Sequence, residues 1–224
     1  MGKLIVLEGL DGSGKATQAA LLAKTLREKG FETMQVTFPD YESDSSALVR
    51  MYLAGEFGER PDSVNPYAAS AFYAVDRYAS YQKNWKNFYQ SGGIVVADRY
   101  TTSNAVHQCA KLPETQWADY LDWLFCFEYE KMEIPAPDKV LYLDMDPAVS
   151  QRLLEGRYRE KGAKDIHEKD VAYLKRARAA ALYCQRRLGW NRIACDDGSL
   201  PYPIEDIARR IEQAATGSLQ KEGK

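Results

Sequence analysis

The sequence lacks what would direct it to a membrane or to a nucleic acid. No apolar run approaches the roughly 20 residues that span a bilayer, so we expect neither a signal peptide nor a transmembrane segment. Lysine and arginine total 30 against 32 aspartate and glutamate residues, which gives a formal net charge of -2. This balance gives no general reason to expect nucleic acid or membrane partners, and any basic site must be local.

Cysteines are few and follow no pattern. The four cysteines, widely spaced along the chain, are Cys109, Cys126, Cys184 and Cys195. They match neither a metal-binding nor a redox motif, and we expect reduced thiols, which are typical of the cytoplasm. The chain has 224 residues, 45% of them hydrophobic, enough for one sizeable core. Residues 1–216 are predicted to form a single domain, and a polar tail at 217–224 is expected to be disordered.

A glycine-rich segment near the start of the chain is its most informative feature. Gly9 to Thr17 reads GLDGSGKAT, a GxxxxGK pattern, directly after the apolar run Leu4 to Leu7. Glycines let the backbone turn tightly and direct several N–H groups at one anion, and Lys15 adds a positive charge. Residues 17–29 have helical composition, which would place a helix N-terminus against bound phosphates. The segment predicts a phosphate-binding loop with ATP contacts from Gly9, Gly12, Ser13, Gly14, Lys15, Ala16 and Thr17.

Strands alternate with helices along the rest of the chain. Segments at 31–38, 94–97, 139–144 and 191–195 predict four further strands, with helical periodicity between them. This order predicts a three-layer α/β fold of the P-loop NTPase type, with a five-stranded parallel sheet flanked by helices. A long helix is expected to begin at Asn65-Pro66, an N-cap followed by a first-turn proline.

The helix predicted at 115–130 is unusually aromatic. Its large side chains are Trp117, Tyr120, Trp123, Phe125 and Phe127. Burial in the core explains this composition, and a surface shared with a second subunit explains it equally well.

Several side chains follow the predicted strands at their carboxyl ends, where parallel sheets bind ligands. They are Asp11, Phe38, Asp98, Arg99, Asp144 and Asp146. Asp98 has the placement of a Walker B acid, which holds magnesium directly or through water, although a carboxylate capping the next helix fits the same position. Arg99 is suited to bind a phosphate with both arms of its guanidinium.

Four segments in this order and at these distances carry a family resemblance. They are GLDGSGKATQ, FPDY, FYAVDRY and DRYTTSN. Together they resemble thymidylate kinase over nearly the whole chain, and the last two narrow the resemblance beyond P-loop proteins in general. The resemblance implies transfer of the γ-phosphate of ATP to dTMP, with magnesium as cofactor and usually a homodimer.

The resemblance also implies roles for individual residues. Asp11 would lie near the acceptor phosphate and the metal, and Lys15 would bridge the donor phosphates. Phe72 would stack on thymine and Arg77 would hydrogen-bond the base, although core packing and a solvated helix face explain these two residues on spacing alone. Arg99 would bind the dTMP phosphate. The expected substrate pocket also includes Phe38, Tyr41, Asn104, His107 and Gln108, and the expected metal site is Thr17 and Asp98.

A basic stretch from Arg152 to Lys164 resembles the lid that closes over ATP in these kinases, within an insertion at about 152–168. The phosphate loop carries no arginine, so Arg157 and Arg159 are the expected source of catalytic charge, with a solvated loop as the alternative. Arg152 and the loop at 197–200 are the expected adenine contacts.

Three residues depart from the family pattern. Ala16 lacks the hydroxyl that usually binds magnesium, so Thr17 is the expected substitute. Asp40 stands where an arginine commonly binds the dTMP phosphate, and Arg50 is a candidate to compensate. His107 replaces a tyrosine that crowds the sugar 2' position. These departures keep open a kinase for another nucleoside or nucleoside monophosphate, and a P-loop nucleotide-dependent switch remains the alternative from a different class.

Overall fold

The computed structural model describes residues 1–161 and 171–217. Its five strands form one parallel sheet in the order β2-β3-β1-β4-β5. They are β1 Lys3–Gly9, β2 Thr33–Thr37, β3 Ile94–Asp98, β4 Lys139–Asp144 and β5 Asn191–Ala194. The predicted α/β fold with a five-stranded parallel sheet is confirmed, and β2 is shorter than the sequence suggested.

Nine helices are found in the described ranges. They are α1 Lys15–Glu28, α2 Ala47–Ala54, α3 Pro66–Ser80, α4 Lys86–Gln90, α5 Thr101–Cys109, α6 Trp117–Phe125, α7 Pro147–Lys161, α8 Val171–Arg187 and α9 Ile204–Thr216. Asn65 caps α3 as expected, because its side chain accepts a hydrogen bond from the Ala68 backbone N–H. No helix in the described part of the chain is long and apolar enough to cross a membrane.

Two apolar clusters, one on each face of the sheet, produce the three layers. Successive strand residues point to opposite faces, so Leu4 and Val6 join one cluster while Ile5 and Leu7 join the other. Helices α1 and α9 cover the second face. The first face is covered by a larger aromatic cluster that includes Trp85, Tyr100, Tyr120 and Tyr173. Both faces of β1 are therefore buried, in agreement with the apolar run Leu4 to Leu7 at its centre.

The structure modifies three expectations about the helices. The long helix after Asn65 is not uniform, because a π-helical turn at Tyr81–Trp85 separates α3 from α4. The aromatic helix α6 also continues as a π-helical segment, Cys126–Lys131. Helix α7 extends to Lys161, so the first part of the basic insertion is helical rather than a loop. The remainder at 162–170 and the tail at 218–224 lie outside the described residues.

Candidate active site

The loop between β1 and α1 depends on glycine at two positions. Gly12 has a φ of 80°, and a Cβ there would lie 2.9 Å from the Ser150 carbonyl oxygen of α7. At Gly9 a Cβ would lie 2.8 Å from the Leu143 carbonyl oxygen of β4. The backbone therefore fits against two neighbouring elements only without a side chain. The loop leads into α1, whose first residues, Lys15 to Thr17, line the cavity described below, and a helix N-terminus in such a place is suited to bind phosphate.

Lys15 opens α1 and is almost fully buried. Its Nζ donates a hydrogen bond of 2.8 Å to the Leu10 carbonyl and lies 4.0 Å from the Asp11 carboxylate. Burial, and to a lesser degree the positive charge of Arg99, lower the pKa of Lys15 to about 8. A phosphate bound here would bring further negative charge close to the buried ammonium of Lys15 and so stabilise its charged form.

An open cavity of about 460 Å³ lies beside this loop. Its walls come from the phosphate loop, the carboxyl ends of β2 and β3, and α7. The lining residues are Asp11, Gly12, Gly14, Lys15, Ala16, Thr17, Thr37, Phe38, Pro39, Asp40, Tyr41, Glu42, Asp98, Arg99 and Leu154. We call it the phosphate cavity.

Asp98 is the residue of this cavity best placed to hold a cation. Its Oδ1 is buried and has no hydrogen-bond partner among the described residues. Burial raises the pKa of Asp98, and the charges of Lys15 and Arg99 oppose that shift. Magnesium commonly takes one or two carboxylates and completes its shell with phosphates and waters. An unpaired carboxylate oxygen on a residue that shares the cavity wall with Thr17 fits that pattern, although the described residues contain no cluster of three His, Cys, Asp or Glu side chains that could hold a metal ion.

Arg99 connects several acidic groups at the end of β3. Its φ of 66° is unusual for a residue with a side chain. The guanidinium pairs with Asp11 and lies 3.5 Å from a carboxylate oxygen of Glu8. It also donates to Ser103 Oγ at 3.1 Å and lies 3.4 Å from His107 Nε2. Burial lowers the pKa of Arg99, but these carboxylates more than offset it, so the pKa is raised and the side chain stays charged.

A second, more enclosed cavity adjoins the first, and we call it the base cavity. It is lined by Asp11, Phe38, Pro39, Tyr41, Leu53, Tyr73, Arg77, Arg99, Tyr100, Ser103, Asn104, His107 and Gln108. Both side-chain polar atoms of Gln108 are buried without a hydrogen-bond partner in the described part of the chain. A buried amide left unpaired in this way is costly unless a ligand completes its bonds.

The structure places Phe72 outside the base cavity. Phe72 packs against Tyr52, with ring centroids 6.4 Å apart, and against Phe57 at 5.6 Å. The neighbouring Tyr73 lines the cavity instead. Adjacent residues of a helix point about 100° apart, so one step along α3 decides which ring faces the ligand. The sequence-based expectation named Phe72, whereas the ring that lines the cavity is its neighbour Tyr73.

The residues expected to contact the acceptor phosphate and the adenine lie in different places. Arg50 lies outside both cavities, because its Nη1 donates to the carbonyls of Tyr41 and Ser43. Asp40 does line the phosphate cavity, and its backbone N–H donates to Asp76 at 2.9 Å. Arg152 donates to the Ser199 carbonyl, which joins the two parts of the expected adenine site. The side chains of the lid arginines at 157 and 159 lie outside the described residues.

Two buried carboxylates of the site were missed in the sequence. Glu8 is fully buried in β1, accepts from Thr102 and Ser103 at 2.6 and 2.8 Å, and lies beside Arg99. Glu128 is also fully buried and pairs with Arg77. An acid in the otherwise apolar run of β1 was a readable signal for Glu8. Nothing local marks Glu128, whose partner is 51 residues away.

Comparison with known proteins agrees with this geometry. The family model for thymidylate kinase matches residues 7–206. A probable thymidylate kinase from Thermococcus gammatolerans is 30% identical over 95% of this chain and 97% of its own length. Thymidylate kinase from Mycobacterium tuberculosis is 30% identical over 84% of this chain and 87% of its own.

A solved structure gives the same fold. The thymidylate kinase structure from Candida albicans aligns with a TM-score of 0.67, covers 94% of this chain and 89% of that chain, and is 21% identical. At that identity the likeness supports the fold, while the family model and the relatives decide the family. The chain therefore belongs to the thymidylate kinase family.

Proposed function

We propose that the chain phosphorylates dTMP to dTDP with ATP, by direct transfer between its two adjoining cavities. Family membership supports this reaction. The observation that supports direct transfer is that Arg99 and Asp11 line both cavities. A phosphate of the acceptor nucleotide at that junction would face the terminal phosphate of a donor seated on the loop. Two sites that meet at one charged pair are suited to a two-substrate transferase.

The residues divide the work by position. The loop N–H groups and Lys15 hold the donor phosphates, with Gly9, Gly12, Ser13, Gly14, Ala16 and Thr17 forming the cradle. Arg99 neutralises the acceptor phosphate at the junction. In phosphoryl transfer the protein contributes mainly positioning and positive charge, so these groups account for most of the proposed rate enhancement.

The base cavity suits a pyrimidine. Gln108 offers one donor and one acceptor, which complement the carbonyl and N–H of a thymine ring. Arg77 adds donors along the same wall, Asn104 lines it as well, and Tyr73 is the ring that stacks on the base. Phe38 and Tyr41 close the side toward the phosphate. His107 faces the sugar side in this proposal.

Magnesium belongs to the proposal as the cofactor that accompanies ATP. Asp98, Thr17 and Asp11 are the side chains that would hold it. The ion would neutralise charge on the transferring phosphates. The protein's own part is to keep the Asp98 carboxylate, one oxygen of which has no hydrogen-bond partner among the described residues, at the wall of the phosphate cavity.

Replacing each of two neighbouring aromatic residues of α3 by alanine, one at a time, tests which ring stacks on the base. Tyr73→Ala is expected to raise the KM for dTMP about tenfold or more, because an aromatic ring stacked on a base contributes about 1–3 kcal/mol. Phe72→Ala, the matched control, removes a ring that packs against Tyr52 and Phe57 and does not line the base cavity. It is expected to lower the melting temperature while leaving the KM for dTMP within about twofold of wild type. Steady-state kinetics on both variants decides the matter, and the reverse pattern would return the stacking role to Phe72.

The lid arginines provide a separate test. Arg157→Ala or Arg159→Ala is expected to lower kcat more than tenfold, which corresponds to about 1.4 kcal/mol of barrier. The reason is that the phosphate loop contains no arginine of its own. Single-turnover kinetics with saturating ATP and dTMP measures the effect, and wild-type turnover in both variants would remove the lid from the mechanism.

We further propose a homodimer in the cytoplasm. Tyr67, Val75 and Tyr78 leave an apolar strip of α3 between 41% and 47% exposed, next to Trp123 of α6. A strip of this kind fits a self-complementary surface. Sedimentation equilibrium of wild type and Val75→Glu tests it, with the variant expected to be monomeric. The four free cysteines support a reducing compartment.

A coupled assay tests the reaction itself. ATP-dependent conversion of dTMP to dTDP is measured beside UMP, dCMP and thymidine at equal concentrations. The largest kcat/KM is expected for dTMP. Preference for another acceptor would shift the proposal to that nucleotide, and ATP hydrolysis without any acceptor would indicate a nucleotide switch.

A further inference from the structure

Glu128 is a buried acid to which the reaction described above gives no role. It lies on the π-helical segment Cys126–Lys131, on the far side of Arg77 from the base cavity. Its side chain is fully buried, and that of Arg77 is 2% exposed. π-Helical turns inside helices are rare and are often associated with functional positions.

The carboxylate of Glu128 accepts four hydrogen bonds from three side chains. Arg77 Nε donates to Oε2 at 2.7 Å, and Arg77 Nη2 donates to Oε1 at 2.6 Å. Thr101 Oγ1 donates to Oε2 at 2.7 Å, and Asn104 Nδ2 donates to Oε1 at 3.1 Å. A carboxylate has about four acceptor positions, and here all of them are filled. Such a fork-to-fork pair fixes the guanidinium plane as well as its place.

This arrangement leaves one end of Arg77 for a ligand. Within the described residues, Nη1 makes only a long contact of 3.5 Å with the Tyr100 carbonyl. Arg77 lines the base cavity, and two of its three nitrogens are held by Glu128 behind it. The two Nη1–H groups and the second N–H of Nη2 are therefore the donors that Glu128 leaves for the ligand. Asn104, held by the same carboxylate, lines the same cavity.

We propose that Glu128 is the positioning residue that makes the base cavity select an oxygen, rather than an amino group, at C4 of the pyrimidine ring. The inference rests on the proposed function, since it assumes that a pyrimidine occupies this cavity. An arginine N–H can donate to a C4 carbonyl but meets another donor at a C4 amino group. The selection is strong only if the guanidinium cannot turn away, and Glu128 prevents that rotation.

Replacing Glu128 by glutamine keeps the shape of the side chain but removes its negative charge and one of its two acceptor oxygens. In Glu128→Gln one oxygen becomes an NH2 group, which faces an N–H of Arg77 in either orientation of the amide. The paired fork is lost, and Arg77 gains freedom to tilt. We expect the ratio of kcat/KM for dTMP to kcat/KM for dCMP to fall at least about tenfold. The KM for dTMP should rise, while the KM for ATP stays near the wild-type value.

Two controls separate positioning from a general structural defect. Thr101→Val removes one hydrogen bond to the same carboxylate but leaves the Arg77 pair intact, so it should keep the wild-type ratio. The ratio is also independent of the fraction of folded enzyme, because both substrates compete for the same active molecules. In an Arg77→Gln background, Glu128→Gln should change the ratio no further, since the group through which it acts is absent.

The outcomes distinguish this inference from the proposed function. If wild-type enzyme phosphorylates no pyrimidine monophosphate, the proposed function fails and this inference falls with it. If the wild type prefers dTMP and Glu128→Gln keeps the same ratio, the reaction stands and the positioning role is refuted. A similar fall in Thr101→Val would also refute it, because the defect would then follow packing rather than the arginine pair.

Discussion

Arg99→Ala is expected to lower kcat by about a thousandfold, equivalent to about 4 kcal/mol of barrier. Arg99 lines both the phosphate cavity and the base cavity, and it is held there by Asp11 and Glu8. Its loss removes the positive charge from the point where donor and acceptor phosphates meet. Pre-steady-state measurement of the chemical step with both substrates saturating tests this expectation.

Two further variants define the cause of the loss. Arg99→Lys keeps a charge but cannot bind two oxygens at once, so we expect it to remain about a hundredfold below wild type. Arg209→Ala removes an exposed arginine of α9 that pairs only with Asp206 in the described structure, and its activity should be unchanged. Because Glu8 also accepts from Thr102 and Ser103, the Arg99 variants should still fold, which thermal unfolding will show. An Arg99→Ala enzyme within tenfold of wild type would place the acceptor phosphate elsewhere.

Lys15→Met is expected to lower kcat by a similar factor, about a thousandfold. The lysine is the only charged donor that the phosphate loop itself supplies, and methionine keeps most of its volume. Measurement of kcat with ATP and dTMP checks the effect. Turnover within tenfold of wild type would show that the loop backbone and the other cations suffice.

The stability of Lys15→Met provides its internal control. Because burial lowers the pKa of Lys15 to about 8, below its ordinary value of 10.5, the unfolded chain binds the extra proton more tightly. The charged lysine therefore weakens the folded state at neutral pH, and stability rises as the pH increases from about 8 to 10.5. Methionine removes this cost, so the variant should melt at or above the wild-type temperature at pH 7.

The same pKa predicts a pH profile for the wild type. The protonated ammonium is the form that binds phosphate, so kcat/KM for ATP should fall as the pH rises above about 8. Bound phosphates favour the charged form, so kcat at saturating ATP should fall only at higher pH. A kcat/KM profile that stays flat to pH 9.5 would contradict the lowered pKa.

The strands and helices of this protein could be predicted from the sequence because the patterns that mark them extend over only a few residues. Apolar strands β1 and β4 stand out within a few residues, and the glycines that the loop requires are part of its motif. A proline after an N-cap asparagine marked the start of α3. Irregular features were not readable, since the π-helical turn at Tyr81–Trp85 has no distinctive sequence pattern.

The roles of the site's side chains were harder to predict from the sequence, because they depend on the rotation of a helix about its axis and on partners that are distant in the chain. Phe72 and Tyr73 are both aromatic, and only the rotation of α3 decides which one reaches the base cavity. Glu128 acquires its place through contacts with Arg77 and Thr101, which lie far away in the chain. A single sequence contains no local pattern that shows which distant residues form such pairs.

The central place of β1 has a consequence during synthesis. β1 pairs with β3, with Lys3 opposite Ile94, and with β4, with Ile5 opposite Lys139. A growing chain therefore keeps its first strand incomplete until β4 has left the ribosome, and pairing over such distances is slow. A nucleotide stabilises only the state that binds it, so ATP can protect the finished sheet but not the nascent chain. Until β4 arrives, the apolar strand β1 lacks one of its two neighbours, and exposed strand edges of this kind favour aggregation.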